Sequence, residues 1–156
     1  MSLRVEIIPC RTDNYSYMCI DSENNAFVVD PSEFIPVDDF IKKNNLNLKY
    51  ILNTHHHFDH VGGNIELKEK YGAKIVGNKN DKDRIPGIDI CLIEGEFFKF
   101  NEYKAEIIDI PGHTIGHIAF HIQSENIVFT GDTLFSLGCG RIFEGTPEMM
   151  YQSLNK

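Results

Sequence analysis

The feature that most constrains this chain is the run H-H-H-F-D-H at residues 55–60, which places five histidine or aspartate side chains within six positions. It follows Tyr50 to Asn53, a short apolar run typical of a buried strand. In extended backbone, residues two apart point to the same side. His55 and His57 are therefore predicted to face one point and His56 to face away. Imidazole and carboxylate in this density predict a metal site.

Asp59 and His60 are neighbours, so both can approach a common ion only if the chain turns. They suit a second ion near the first. Gly62 and Gly63 permit a sharp turn, and Asn64 can cap the helix that follows. A solvated loop or a tag remnant is the alternative for three consecutive histidines. An internal run that is interrupted by Asp59 and follows a strand favours the metal site.

Two further strand ends carry ligand-type residues. His113 follows Pro-Gly after the strand-like residues 105–110, and Asp132 follows the apolar residues 127–130 in a Gly-Asp-Thr sequence. In isolation, His113 fits a hydrogen-bonded loop histidine and Asp132 fits a turn or cap residue. Three strand ends with ligand-type residues predict that these loops converge.

These three motifs, H-x-H-x-D-H, P-G-H-T and G-D-T-L-F, resemble the metallo-β-lactamase superfamily in type and order. Within it, the run G-D-T-L-F-S-L-G-C-G-R-I-F-E-G-T at residues 131–146 is similar to the glyoxalase II family of hydroxyacylglutathione hydrolases. The resemblance implies an α/β (α+β) fold, the αββα sandwich, with metals at one edge between two sheets. Residues 1–156 would be a metallo-β-lactamase-like catalytic domain.

The same resemblance implies two divalent ions, with zinc expected and iron or manganese as alternatives. The first ion would be held by His55, His57 and His113, the second by Asp59 and His60, and Asp132 would bridge them. His56, His117 and His121 match no ligand position and are interpreted as packing or hydrogen-bonding residues.

The implied reaction is hydrolysis of a glutathione thioester such as S-lactoylglutathione, which yields glutathione and a 2-hydroxy acid in methylglyoxal detoxification. A hydroxide held by the ions would attack the carbonyl, and Asp59 and Asp132 would be the catalytic carboxylates. Arg141 is a candidate anchor for the substrate, although a solvated surface arginine fits equally well. Phe143 is a second candidate contact, at a position where some family members carry a tyrosine.

Two other functions remain open from the sequence. Persulfide dioxygenases share H-x-H-x-D-H and G-C-G-R but use one iron held by two histidines and one aspartate. Oxygen consumption with glutathione persulfide would identify that activity. Alternatively, the chain binds metal without turning a substrate over.

The glyoxalase II family has a further histidine ligand and a C-terminal helical region that binds glutathione. This sequence has no histidine after His121. We therefore interpret it as a fragment with an incomplete second half of the sandwich. Uncovered sheet edges would favour non-native self-association.

Composition limits the other classes of function. The net charge of -8 argues against nucleic-acid and anionic-membrane partners. No apolar run approaches the roughly 20 residues of a membrane span, and no signal peptide is recognised. The four cysteines form no C-x-x-C pair and are interpreted as reduced thiols, which predicts a cytoplasmic protein.

Apolar periodicity and turn residues predict the secondary structure. Helices are expected at 37–44 and 65–71, with a last helix opened by Thr146-Pro147. Strands are expected at 4–8, 15–20, 26–30, 49–52, 74–76 and 105–110, and two hairpins at 90–93 with 97–100 and at 118–122 with 127–130.

Overall fold

The chain folds into two stacked β-sheets. The computed structural model describes residues 3–156. The first sheet has the strand order β1-β2-β3-β4-β5-β6. Its strands are β1 Arg4–Cys10, β2 Asn14–Ile20, β3 Asn25–Val29, β4 Asn47–Leu52, β5 Lys74–Asn78 and β6 Ile90–Leu92. The second sheet has the order β10-β9-β8-β7. Its strands are β7 Phe97–Phe100, β8 Tyr103–Asp109, β9 Ile118–Ile122 and β10 Ile127–Phe129.

Four helices lie outside the sheets. They are α1 Phe34–Asn44, α2 Phe58–Val61, α3 Asn64–Tyr71 and α4 Pro147–Leu154. Left-handed residues end two of them, Asn45 after α1 and Gly72 after α3. Thr146 caps α4 by accepting the Met149 N–H, as its sequence predicts. None of the described helices is long and apolar enough to span a membrane.

Strand β3 shows how the layers are packed. Ala26 and Val28 face α1 and α3, whereas Phe27 and Val29 face the second sheet, and all four are buried. Because side chains alternate along a strand, a strand with apolar residues at every position is covered on both faces. Phe27 meets Phe98 and Phe100 edge-to-face at centroid distances of 5.7 and 5.0 Å. Burying such a ring contributes roughly 1.5–3 kcal/mol.

Strand directions place the candidate site at one edge. Strands β3 to β6 run parallel, with α1 and α3 in the connections between them. Parallel strands end at the same edge, so Asp30 after β3 and Thr54 after β4 lie together. The Ile118 N–H donates to the Thr54 carbonyl at 2.9 Å and joins the second sheet to this edge.

Two sequence-based expectations were wrong. The predicted hairpin of 90–93 with 97–100 does not form: β6 pairs parallel with β5, whereas β7 pairs antiparallel with β8. The residue pattern around Gly95 does not show that the chain passes from the first sheet to the second at this turn. Asn64 is not a cap either, because Gly63 holds that position. The buried Asn64 amide instead donates to Asn53 Oδ1 at 2.8 Å.

The mixed α/β fold predicted from the sequence is confirmed. Helix α4 packs on the loop after β8, where Ser153 Oγ donates to the Pro111 carbonyl at 2.7 Å. On the outer face of the second sheet, Phe97 and Val128 are half-exposed. Self-association through this face stays a prediction.

Candidate metal centre

Three histidines from two loops converge at the sheet edge. His55, His57 and His113 each offer a ring nitrogen, and these atoms lie within 4.8 Å of one another. His113 Nε2 is 3.0 Å from His57 Nδ1. The chain bends at Thr54 and His55, and the backbone of His57 is extended before α2 begins. His55 and His57 nevertheless both turn toward the centre, as the sequence predicted.

The other nitrogen of two of these rings is already held. His55 Nδ1 lies 3.1 Å from Thr54 Oγ1, and His113 Nδ1 donates to the Arg141 carbonyl at 2.7 Å. This leaves Nε2 of both rings free to face the centre. His55 Nε2 is buried and has no hydrogen-bond partner among the described residues. Such an orientation of ligand imidazoles by outer partners is typical of metal sites.

Burial also sets the charge of these rings. Burial lowers the pKa of His55 well below its usual value, and the surrounding histidines lower it further. Burial and the adjacent His113 lower the pKa of His57. Neutral imidazole is the form that binds a metal ion. The donor set and the unpartnered His55 Nε2 therefore fit a divalent cation.

A second cluster lies beside the first. The short helix α2 presents Asp59 and His60 from consecutive positions, as the predicted turn requires. His60 Nε2 lies 3.2 Å from Asp132 Oδ1 and 3.6 Å from Asp59 Oδ2. This nitrogen is buried and makes no hydrogen bond in the described part of the chain. The other Asp132 oxygen, Oδ2, lies 3.4 Å from His113 Nε2, so this carboxylate faces both clusters.

In the second cluster, the charges of His60 and of the neighbouring carboxylates stabilise one another. Burial alone would lower the pKa of His60, but the carboxylates of Asp30 and Asp132 raise it to about 10. Burial would raise the pKa of Asp132, but His60 and His113 lower it below its usual value. The negative potential that holds a proton on His60 is the potential that attracts a divalent cation in its place.

Asp30 was not predicted from the sequence as part of the site. It is buried, and its carboxylate accepts the Thr54 N–H at 2.8 Å, the Thr54 hydroxyl at 2.6 Å and His60 Nδ1 at 3.0 Å. Asp30, His55 and His60 each offer one possible ligand atom, and these atoms lie within 4.8 Å of one another. Because its oxygens are already engaged, it orients His60 rather than binding an ion. Its position at the end of an apolar strand, before Pro31, was the available signal.

Asn14 was missed as well. Its Nδ2 donates to Asp59 Oδ2 at 3.0 Å and to the Asp59 carbonyl at 3.2 Å. The Ser32 hydroxyl donates to the same carbonyl at 2.5 Å. Asn14, the first residue of β2, thus holds the Asp59 carboxylate toward the second cluster. Nearby, a cleft of about 900 Å³ gives access to Asp59 and Asp132.

The remaining histidines have separate surroundings. His56 points away from the centre toward Asp81, at 3.1 Å. His117 stacks on His55 with ring centroids 4.5 Å apart, and its Nε2 accepts the Asp132 N–H at 3.1 Å. Burial lowers the pKa of His117 to about 3, so it is neutral and can accept. His121 lies in β9 opposite Glu106 and Val128.

The loop after Asp132 covers one side of the centre. Gly140 donates its N–H to the Asp132 carbonyl at 2.9 Å, and a Cβ on Gly140 would lie 2.0 Å from that oxygen. The ring of Phe143 lies 5.6 Å from His57 and 5.2 Å from His113 between centroids. Arg141 holds His113 through its backbone carbonyl, while its side chain is exposed.

Comparisons with known proteins place this centre in context. The sequence model described as "Metallo-beta-lactamase superfamily" matches residues 11–156. A curated relative from Pelagibacter ubique, named hydroxyacylglutathione hydrolase, is 57% identical over 155 residues. The match covers 99% of this chain and 65% of that relative, so the chain spans about two thirds of its length.

Two solved structures share the fold. The crystal structure of BLEG-1 B3 metallo-beta-lactamase has a TM-score of 0.90 at 20% identity, covering 98% of this chain and 84% of that one. The crystal structure of ETHE1 from Myxococcus xanthus has a TM-score of 0.85 at 26% identity, covering 100% of this chain and 69% of that one.

Proposed function

We propose that this chain, which belongs to the metallo-beta-lactamase superfamily, is the catalytic part of a metal-dependent hydrolase of glutathione thioesters. The observation that best supports this proposal is the position of the Asp132 carboxylate, which faces both the three-histidine cluster and the Asp59–His60 cluster. The reaction class is supported by the relative named hydroxyacylglutathione hydrolase, at 57% identity over 99% of this chain.

Superfamily membership implies a divalent metal, and we propose two ions. His55, His57 and His113 would hold one, Asp59 and His60 the other, and Asp132 would bridge. Nitrogen and carboxylate donors suit zinc, and they also suit iron or manganese. Bound ions of this kind lower the pKa of water toward about 7 and polarise a carbonyl oxygen.

The chain's own residues would orient the reactants. Asp59, whose carboxylate is held by Asn14, would accept a hydrogen bond from the attacking water. The exposed ring of Phe143 lies beside His57 and His113 and would contact the substrate there. We propose that the exposed guanidinium of Arg141 contacts the glutathione part of the substrate. The leaving thiolate is a weak base, so no acid needs to be placed beside it.

The proposed substrates are S-2-hydroxyacylglutathiones such as S-lactoylglutathione, which would connect the chain to methylglyoxal detoxification. We propose a cytoplasmic location, where glutathione and the reduced thiols expected from the sequence coexist.

The test combines metal content with turnover. We expect about two zinc ions per chain by elemental mass spectrometry, and hydrolysis of S-lactoylglutathione that stops when a chelator removes the metal and returns with Zn²⁺. His57→Ala and Asp132→Ala should each abolish hydrolysis, while His121→Ala, which alters a histidine outside the site, should not.

Substantial hydrolysis by His57→Ala or Asp132→Ala would refute the assignment. One iron per chain with oxygen uptake on glutathione persulfide would identify a dioxygenase instead. Two bound ions without hydrolysis would leave a metal-binding protein of another function.

A further inference from the structure

A polar cluster lies directly behind the three-histidine site and shares no residue with it. At its centre is Asp81, which is fully buried in the turn after β5. His56 Nδ1 lies 3.1 Å from Asp81 Oδ2. Arg84 donates to Asp81 Oδ1 through Nη2 at 2.5 Å and Nε at 3.2 Å. Both oxygens of this carboxylate are therefore engaged, and the ring of His56 is held away from the ligands on either side of it.

Arg84 extends the cluster to a third segment. Its Nη1 donates to Glu144 Oε1 at 2.5 Å and lies 3.3 Å from His56 Nε2. Because a guanidinium can only donate, His56 Nε2 accepts and its Nδ1–H donates to Asp81. Glu144 Oε2 in turn accepts the Ile115 N–H at 2.8 Å. One arginine thus links the loop after β4, the loop after β5 and the loop before α4.

The loop that carries His113 is packed against the same cluster. A Cβ on Gly116 would lie 2.2 Å from Asp81 Oδ1, so only glycine permits this approach. Asn78 Nδ2 donates to the Gly116 carbonyl at 3.0 Å. The His113 carbonyl accepts the N–H of Phe143 at 3.2 Å. The His113 loop is therefore held by the cluster at Ile115, through the Glu144 carboxylate, and lies against Asp81 at Gly116.

These interactions connect the loop that carries His57 to the loop that carries His113. His57 follows His56 directly, and His113 lies two residues before Ile115, yet the two ligands belong to different loops and their ring nitrogens are 3.0 Å apart. No described hydrogen bond or ion pair joins His56, Asp81, Arg84 or Glu144 to Asp59, His60 or Asp132. An effect on metal binding should therefore be confined to one of the two ions.

We propose that His56, Asp81, Arg84 and Glu144 form a clasp that positions His57 and His113 for the first ion, a role that rests on the metal site of the proposed function. The clasp residues are positioning residues, since none of them reaches the ion's place. Partners of metal-binding histidines typically change metal affinity 10–100-fold when removed. The clasp acts one residue further out, so we expect about 10-fold.

The test measures Zn²⁺ affinity by competition with a chromophoric chelator. Arg84→Ala and Glu144→Ala are introduced into the Asp59→Ala chain, where only the three-histidine site is intact, and into the His57→Ala chain, where only the second cluster is intact. Glu144→Gln is the conservative variant, because it keeps an oxygen for the Ile115 N–H. Lys68→Ala is the matched control: Lys68 also ties the loop after β5, through Gly87 and Asp89, but lies away from the ligands.

We expect both alanine variants to weaken Zn²⁺ about 10-fold at the three-histidine site only, with Glu144→Gln and Lys68→Ala close to the parent chain. The Arg84–Glu144 pair is partly exposed, and such pairs contribute little to stability, so the melting temperature of Glu144→Ala should change no more than in the control. Arg84→Ala also leaves the buried Asp81 carboxylate without its arginine partner, so its melting temperature should fall while the loss of Zn²⁺ affinity stays confined to the three-histidine site.

Unchanged affinity in Arg84→Ala and Glu144→Ala would overturn the clasp. Equal weakening at both sites, with a lower melting temperature, would overturn it too, because that pattern marks a general structural role. A wild-type chain that binds no Zn²⁺ would overturn the clasp as well, because no ion would then be bound by His57 and His113. Two bound ions without thioester hydrolysis would refute the proposed function and leave the clasp standing.

Discussion

Replacing Asp30 with asparagine tests how the second cluster is built. In the wild type, the buried carboxylate accepts from the Thr54 N–H, the Thr54 hydroxyl and His60 Nδ1–H. An asparagine keeps one oxygen, which the Thr54 N–H requires, and turns an amide NH₂ toward His60. A donor then faces a donor, so His60 must carry its proton on Nε2. That nitrogen points at Asp59 and Asp132, where the second ion would bind.

The expected magnitude follows from removing the acceptor of the His60 Nδ1–H. Loss of the hydrogen-bond partner of a metal-binding histidine typically weakens metal binding 10–100-fold, which corresponds to about 1.4–2.8 kcal/mol for the second ion. The first ion should be weakened less, because the substitution reaches only His55 among its ligands, through the Thr54 hydroxyl that donates to Asp30, whereas His113 is oriented by the Arg141 carbonyl. The metal-free chain should lose about 1–3 kcal/mol of stability, because a buried charge-assisted hydrogen bond disappears.

Competition titration with Zn²⁺ measures the two affinities, and ¹⁵N chemical shifts of the His60 ring in the metal-loaded chain report whether Nδ1 keeps its proton. Asp21→Asn is the matched control: Asp21 is also buried and accepts the Glu23 and Asn25 N–H groups, but it lies in the turn after β2. It should lower stability without changing Zn²⁺ affinity. Wild-type affinity for the second ion in Asp30→Asn would refute the reasoning.

Two further predictions concern packing and charge. Gly140→Ala places a Cβ 2.0 Å from the Asp132 carbonyl, so the loop must move; we expect thermal unfolding to report a loss of about 2 kcal/mol, with weaker Zn²⁺ binding. Gly138→Ala, whose Cβ meets nothing within 4 Å, should change neither. Burial would raise the pKa of Asp38, but Lys42, Lys70 and Tyr71 hold it well below its usual value. A lowered pKa stabilises the fold above the unfolded value of about 3.9 and that contribution is lost as pH falls through the folded pKa. In urea unfolding, Asp38→Asn should therefore be less stable than wild type at neutral pH, and the difference should narrow as the medium becomes strongly acidic, whereas exposed Asp39→Asn should match wild type throughout.

Much of the candidate centre could be predicted because most of its candidate ligands follow the ends of strands. Alternate spacing after β4 predicted that His55 and His57 lie on one side, and their ring centroids are 4.7 Å apart. The apolar runs also located most strands, since both faces of the first sheet are buried. Partner choice was harder: nothing within residues 90–100 shows that β6 joins β5 while β7 joins β8.

The orienting residues could not be found this way, because their hydrogen bonds span long stretches of sequence. Asn14 reaches Asp59 across 45 residues, and Arg84 reaches Glu144 across 60. Each of these side chains alone fits a turn or a solvated surface. Only tertiary packing shows that Asn14 holds a candidate ligand and that Arg84 bridges three loops.

The buried polar atoms argue for two ions rather than one. Among the described residues, His55 Nε2 is buried without a hydrogen-bond partner, and His60 Nε2 is buried with only carboxylates facing it, the nearer at 3.2 Å from Asp132. Burying such a nitrogen unsatisfied costs free energy. A single ion at the three-histidine site would satisfy the first and leave the second, although Asp30 and Asn14 are engaged in orienting that second cluster. A single ion at Asp59 and His60 would leave the first. Two ions, one at each cluster, would engage both nitrogens, and for this reason we propose a dinuclear centre.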